Sequence, residues 1–135
     1  MFVMLSLLLA ASDTEDVAGL VKRAQTVAAK ADASWSDAQY TTYSDEVVAW
    51  RKQAQDVQAR PTLKKKDAIA LLNARATVAE RYRTVLSTQP VPKSMKMLGQ
   101  QAASVWQDSV NTWVRSLASE VTALKEEARQ RAKAP

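Results

Sequence analysis

Six side chains of low polarity, Tyr40, Tyr43, Val47, Trp50, Ala54 and Val57, recur at steps of 3, 4, 3, 4 and 3. An α-helix returns to the same face after three or four residues. The spacing therefore puts all six on one stripe and predicts a helix that must bury that stripe against others of its kind. This is the most regular pattern in the chain. Ser36-Asp37-Ala38-Gln39 precedes it with the form of a capping box, in which serine and glutamine satisfy free backbone N–H groups at a helix start. Pro61 ends the stretch, because the residue before a proline disfavours the α conformation.

The other segments carry the same signal. Ser12-Asp13-Thr14-Glu15 is a second capping box, and it predicts a helix that starts near residue 13. Its stripe is Val17, Leu20, Val21, Ala24, Val27, Ala28 and Ala31. Traced backwards, this stripe passes through Asp13 or Thr14. A third helix is expected from a Thr62 cap to about Ser87, with a wider apolar face of Leu63, Ala68, Ile69, Leu71, Leu72, Val78, Ala79, Tyr82, Val85 and Leu86. After Gln89-Pro90-Val91-Pro92, Ser94 is the expected cap of a long last helix. Its apolar face would run from Met97 and Leu98 through Ala102, Val105, Trp106, Val110, Trp113, Val114, Leu117 and Val121 to Leu124. The tail KEEARQRAKAP has little to bury, and its last turns are expected to project into solvent or fray.

Two glycines and four prolines in 135 residues leave few breaks, and no run alternates as a strand would. The expected fold is all-α: an antiparallel up-down-up-down four-helix bundle with a long C-terminal helix. It comprises one domain over residues 12–135, preceded by a short apolar segment over residues 1–11.

That segment, MFVMLSLLLAA, has no charged side chain. It is too short to cross a bilayer, which takes ~20 residues, and it has the length of a signal-peptide apolar region. Leu9-Ala10-Ala11-Ser12 resembles the L-A-A-C signal of bacterial lipoproteins over about a dozen residues. It departs from that pattern where serine replaces the cysteine whose sulfur carries the lipid, and no Lys or Arg precedes the apolar run. The resemblance implies a periplasmic or envelope-associated protein, with a cytoplasmic one as the alternative. The same segment would otherwise serve as packing surface for the bundle or for another chain.

The absence of cysteine and histidine excludes thiolate nucleophiles, disulfides, Cys/His metal centres and histidine acid–base catalysis. No glycine-rich phosphate loop or nucleophile elbow occurs. The expectation is a non-enzyme without cofactor or metal. Charge is uneven: residues 1–60 hold six Lys/Arg and eight Asp/Glu, whereas residues 61–135 hold thirteen and six. A basic half suits an acidic protein or an anionic lipid surface. The basic residues are not interleaved with aromatics in any nucleic-acid motif, so no specific nucleic-acid binding is expected.

Candidate contact residues follow from these patterns. Trp106 and Trp113 are seven apart and share a helix face, and Trp50 shares the seam with Tyr40 and Tyr43. Together they could line a cleft for an apolar ligand. Trp35 falls between two helices, where an exposed tryptophan would anchor a partner. Lys64, Lys65 and Lys66 stand in the first turn of the third helix, at the unfavourable end of its dipole, and suit phosphate head groups or an acidic protein. The leading functional expectation is a non-catalytic protein-binding or assembly bundle of the bacterial envelope. Its partner would be a protein, with peripheral membrane contact and homo-oligomerisation both compatible. The alternatives are a subunit of a larger helical assembly and a bundle that binds an apolar small molecule.

Overall fold

The computed structural model describes the backbone of residues 2–29 and 35–135, and the side chains of residues 12–28 and 35–135. Among these residues it holds five helices and no strand: α1 Phe2–Ala29, α2 Asp37–Gln58, α3 Lys65–Thr88, α4 Lys93–Met97 and α5 Gln100–Lys133. Four are long and α4 is a single short turn.

The long helices alternate in direction. Asp13 of α1 meets Thr62 beyond the end of α2, and Trp50 Nε1 donates to the Leu20 carbonyl. Ser44 near the start of α2 meets Tyr82 late in α3, and Gln58 at its end meets Ala68 early in α3. Lys65 at the start of α3 reaches the carbonyl of Ala134 just past α5. The result is the expected all-helical, up-down-up-down bundle with a long last helix. Helix α3 is its centre and packs against each of the other three long helices. That explains its wide buried face, which extends to Ala74 and Ala76.

The seam of α2 packs as its spacing predicts. Tyr43, Val47, Trp50, Ala54 and Val57 are buried, and Tyr40 is half-buried. The Ser36 capping box forms in full: Ser36 Oγ accepts from Gln39 N, and Gln39 Oε1 accepts from Ser36 N. The α1 stripe is buried at Val17, Leu20, Ala24 and Val27, whereas its predicted end at Ala31 lies outside the described residues.

Three local expectations are corrected. Ser12 starts no helix, because α1 runs unbroken from Phe2 through it. Its neighbour Asp13 occupies the stripe as a buried carboxylate, 3% exposed. Asp13 Oδ2 accepts from the Thr62 hydroxyl at 2.5 Å, and its Oδ1 accepts from Arg60 at 3.0 Å. Thr62 is thereby drawn away from capping, and α3 starts three residues later with Lys64 as an N-cap that makes no side-chain bond. Ser94 caps nothing either: it lies inside α4, and α5 begins after Gly99, whose φ of 106° only glycine adopts readily.

The fourth correction concerns which end of α5 is covered. Val110, Leu117, Val121, Leu124 and Ala128 are buried, so the helix stays packed beyond Leu124 and is regular to Lys133. No residue from 87 to 109 is buried. The reason is length: α5 has 34 residues against 24 in α3, and the two are aligned at the α5 C-terminus. The surplus emerges at the α5 N-terminus.

Candidate interaction surface

The end of α4 and the uncovered start of α5 carry apolar side chains that the sequence pattern assigned to the core. Met97 is 87% exposed, Leu98 72% and Val105 60%. Helix α4 folds back against α5 here, and the two enclose an open groove of about 600 Å³. Met95, Leu98, Ala102, Val105 and Trp106 line it, with Gln101 and Ser109 at its polar positions. Ala102, Val105, Trp106 and Ser109 follow helical spacing along α5, and Leu98 joins them from the end of α4, so the groove runs beside one helix face. Trp106 is half-buried and packs on the main core from this tip.

Burying such side chains stabilises by roughly 1.5–3 kcal/mol each, and here most of that free energy is unspent. Exposed apolar clusters of this kind on small proteins are frequently interaction sites. The tip is also almost uncharged: residues 84–107 hold two ionisable side chains, Lys93 and Lys96, both exposed on α4.

The four tryptophans do not share a cleft. Trp50 is 3% exposed, and its indole N–H is satisfied by Leu20 O at 3.0 Å, so it is interior packing. Trp113 is 42% exposed on α5, under the guanidinium of Arg51, which lies 5.8 Å from the ring centroid. Arg51 also pairs with Glu120, so α2 and α5 are linked by a charged bridge beside an aromatic ring. Trp35 is half-buried against Tyr43, with centroids 4.8 Å apart, and Tyr43 meets Tyr82 edge-on at 6.2 Å. Trp35 lines a shallow surface groove with Ala38, Gln39, Thr42 and Glu46. Trp106 alone of the four belongs to the α4–α5 groove.

The tyrosines near Trp35 are not acid–base groups at ordinary pH. Burial pushes the Tyr43 phenol up to about 12, against the opposing influence of nearby Arg81. Burial also raises Tyr40, reinforced by Tyr82. Both stay protonated. Burial lowers the Arg75 guanidinium below its ordinary value, although Glu120 and Glu127 oppose the shift; it remains a cation. Among the described residues no three acidic side chains converge where a metal ion could sit.

Lys64, Lys65 and Lys66 are exposed at the start of α3, and none forms an ion pair among the described residues. They stand at the opposite end of the bundle from the α4–α5 tip. The predicted contact residues thus fall in separate places: core, helix face, two grooves and one basic end. Leu98 and Val105 were not singled out as contacts by sequence, whereas Met95 and Met97 form a methionine pair of the kind that suits an adaptable surface. A second signal was the uncharged stretch from Met97 to Gln107, which follows a proline-rich loop.

Among the described residues no helix is long and apolar enough to cross a membrane. Compared with protein-family models, curated proteins and solved structures, the chain matches none of them.

Proposed function

We propose that this protein is a non-catalytic, protein-binding accessory bundle of the bacterial cell envelope, and that it takes its partner at the α4–α5 tip. The observation that carries the reading is the exposure of Met97, Leu98 and Val105 around a groove in an almost uncharged stretch. A groove lined by methionine and aliphatic side chains along one helix face suits an apolar helix face or an extended segment of another protein. The envelope assignment rests on the uncharged opening segment and on the resemblance of Leu9-Ala10-Ala11-Ser12 to a lipoprotein signal. The lack of cysteine and histidine supports the non-catalytic part.

The test is a photo-reactive amino acid placed at Val105 in the full chain, with a second at Gln130 as the control. The expected result is a discrete adduct with one other protein in the envelope fraction, formed from Val105, absent from Gln130 and lost on Leu98→Asp. Adducts equal at both positions would overturn the reading. So would adducts unaffected by Leu98→Asp, or a protein confined to the cytosolic fraction. An adduct with a second copy of this chain alone would favour the structural-subunit alternative instead.

A further inference from the structure

The end of the bundle opposite the tip has a different chemistry. Helix α3 begins there with Lys64 as an N-cap lacking any side-chain bond, followed by Lys65 and Lys66. Lysines at a helix N-terminus oppose its dipole, so helix stability does not explain them. Lys65 donates to the carbonyl of Ala134, which draws the end of α5 and its exposed Lys133 to the same place.

The acidic side chains around this end are mostly engaged. Asp13 and Asp16 pair with Arg60, and Asp67 accepts from the Thr14 hydroxyl at 2.7 Å. Glu126 pairs with Arg129 and Glu127 with Arg131. Lys64, Lys65, Lys66 and Lys133 form no ion pair among the described residues. Glu15 and Asp56 are exposed here and form no ion pair among the described residues either, so the positive charge is local: it is gathered where Lys64, Lys65 and Lys66 meet the end of α5. The same end holds Asp13 and Thr14, the point at which α1 passes from its uncharged first residues into the bundle.

The ten uncharged residues that open α1, from Phe2, are about 15 Å of helix, half the ~30 Å of a bilayer core. A stretch of that length reaches into the interfacial layer. One such apolar element binds membranes only marginally, and lasting attachment takes a second signal such as a basic patch. The two signals coincide here.

We propose that this end lies against an anionic lipid bilayer, with Lys64, Lys65, Lys66 and Lys133 facing lipid phosphates and the uncharged segment seated among the head groups. The α4–α5 tip is then held away from the surface by the length of α5, 34 residues or ~50 Å. The choice of a lipid surface rests on the envelope reading above.

Flotation of the full chain with vesicles tests this. Binding is expected to vesicles of equal parts phosphatidylcholine and phosphatidylglycerol, to weaken with salt, and to fall well below that on phosphatidylcholine alone. Each lysine near such a surface is worth roughly fivefold. The triple variant Lys64→Gln, Lys65→Gln, Lys66→Gln should therefore lose on the order of a hundredfold at low salt. The double variant Lys93→Gln, Lys96→Gln, at the far end, should bind as the parent does. Equal binding to both vesicle types, an unaffected triple variant, or an equal loss in the double variant would each overturn the proposal. Circular dichroism confirms that the variants remain helical. The Val105 adduct is read separately, so either reading can fail while the other stands.

Discussion

The carboxylate of Asp13 accepts a hydrogen bond from the hydroxyl of Thr62 at 2.5 Å, across 49 residues of sequence. It ties the first helix to the turn between the second and third. With Arg60 on its other oxygen, Asp13 is a buried charge that is both paired and hydrogen-bonded.

Removing that carboxylate strands its partners. Asp13→Ala is expected to destabilise the protein by about 1–3 kcal/mol in urea denaturation. Ser12→Ala, one residue earlier and exposed, should change stability by less than about 0.5 kcal/mol. Were Ser12 an N-cap, its loss would cost about 1 kcal/mol, so the pair of variants separates the two local structures.

Asp13 also sets a pH dependence. The hydrogen bond from Thr62, aided by Arg60, holds its pKa below the ordinary carboxylate value against the cost of burial. Its pKa is thus lower folded than unfolded. Its contribution to stability is present above about pH 4 and is lost as pH falls through the folded value. Asp13→Asn should be less stable than the parent at neutral pH, with the difference shrinking in acid. Parallel stability curves for the two proteins would contradict this account.

Trp50 packs in the core and donates to Leu20 O. Trp50→Phe keeps most of the aromatic volume and loses the indole donor, while Leu20 O keeps its partner within α1, so the change should cost about 0.5–1.5 kcal/mol. Trp50→Ala adds a cavity and should cost about 3–5 kcal/mol. Neither change should alter adduct formation at Val105, because the groove lies at the α4–α5 tip.

The packed part of α5 and the α4–α5 tip should respond differently to the same substitution. Leu117→Ala removes a fully buried side chain and should cost about 2–5 kcal/mol. Leu98→Ala, at a side chain 72% exposed, should stay within about 0.5 kcal/mol. Equal losses would mean that the tip is buried in solution.

Gly99 separates α4 from α5 at φ 106° and ψ 172°, a conformation that costs other residues about 1–3 kcal/mol. A Cβ there meets no neighbouring atom within 4 Å, so the cost of Gly99→Ala is purely backbone. Because α4 contains no buried residue, the strain is expected to release locally. Hydrogen exchange should show faster amide exchange in residues 93–97, with the midpoint of global unfolding nearly unchanged.

Local chemistry was enough to establish that the chain is helical, where α2 begins and ends, and which face of each helix is oily. These follow from spacing and from partners within four residues, as in the Ser36–Gln39 box and the stop at Pro61. Tertiary structure decided the rest. The Ser12 box has the same local form as the one at Ser36, yet α1 continues through it, and Asp13 turns to Thr62 and Arg60 instead. A capping rule sees only its own turn, and a partner 49 residues away outweighs it. The same holds for the oily stripe that spacing predicts for the last helix. Periodicity marks Leu98 and Val105 no differently from Leu117 and Leu124, but α3 is ten residues shorter than α5 and aligned with its far end. Burial depends on a neighbour being present at that height, and relative length and alignment are properties of the assembled helices, so one half of the stripe became core and the other a surface.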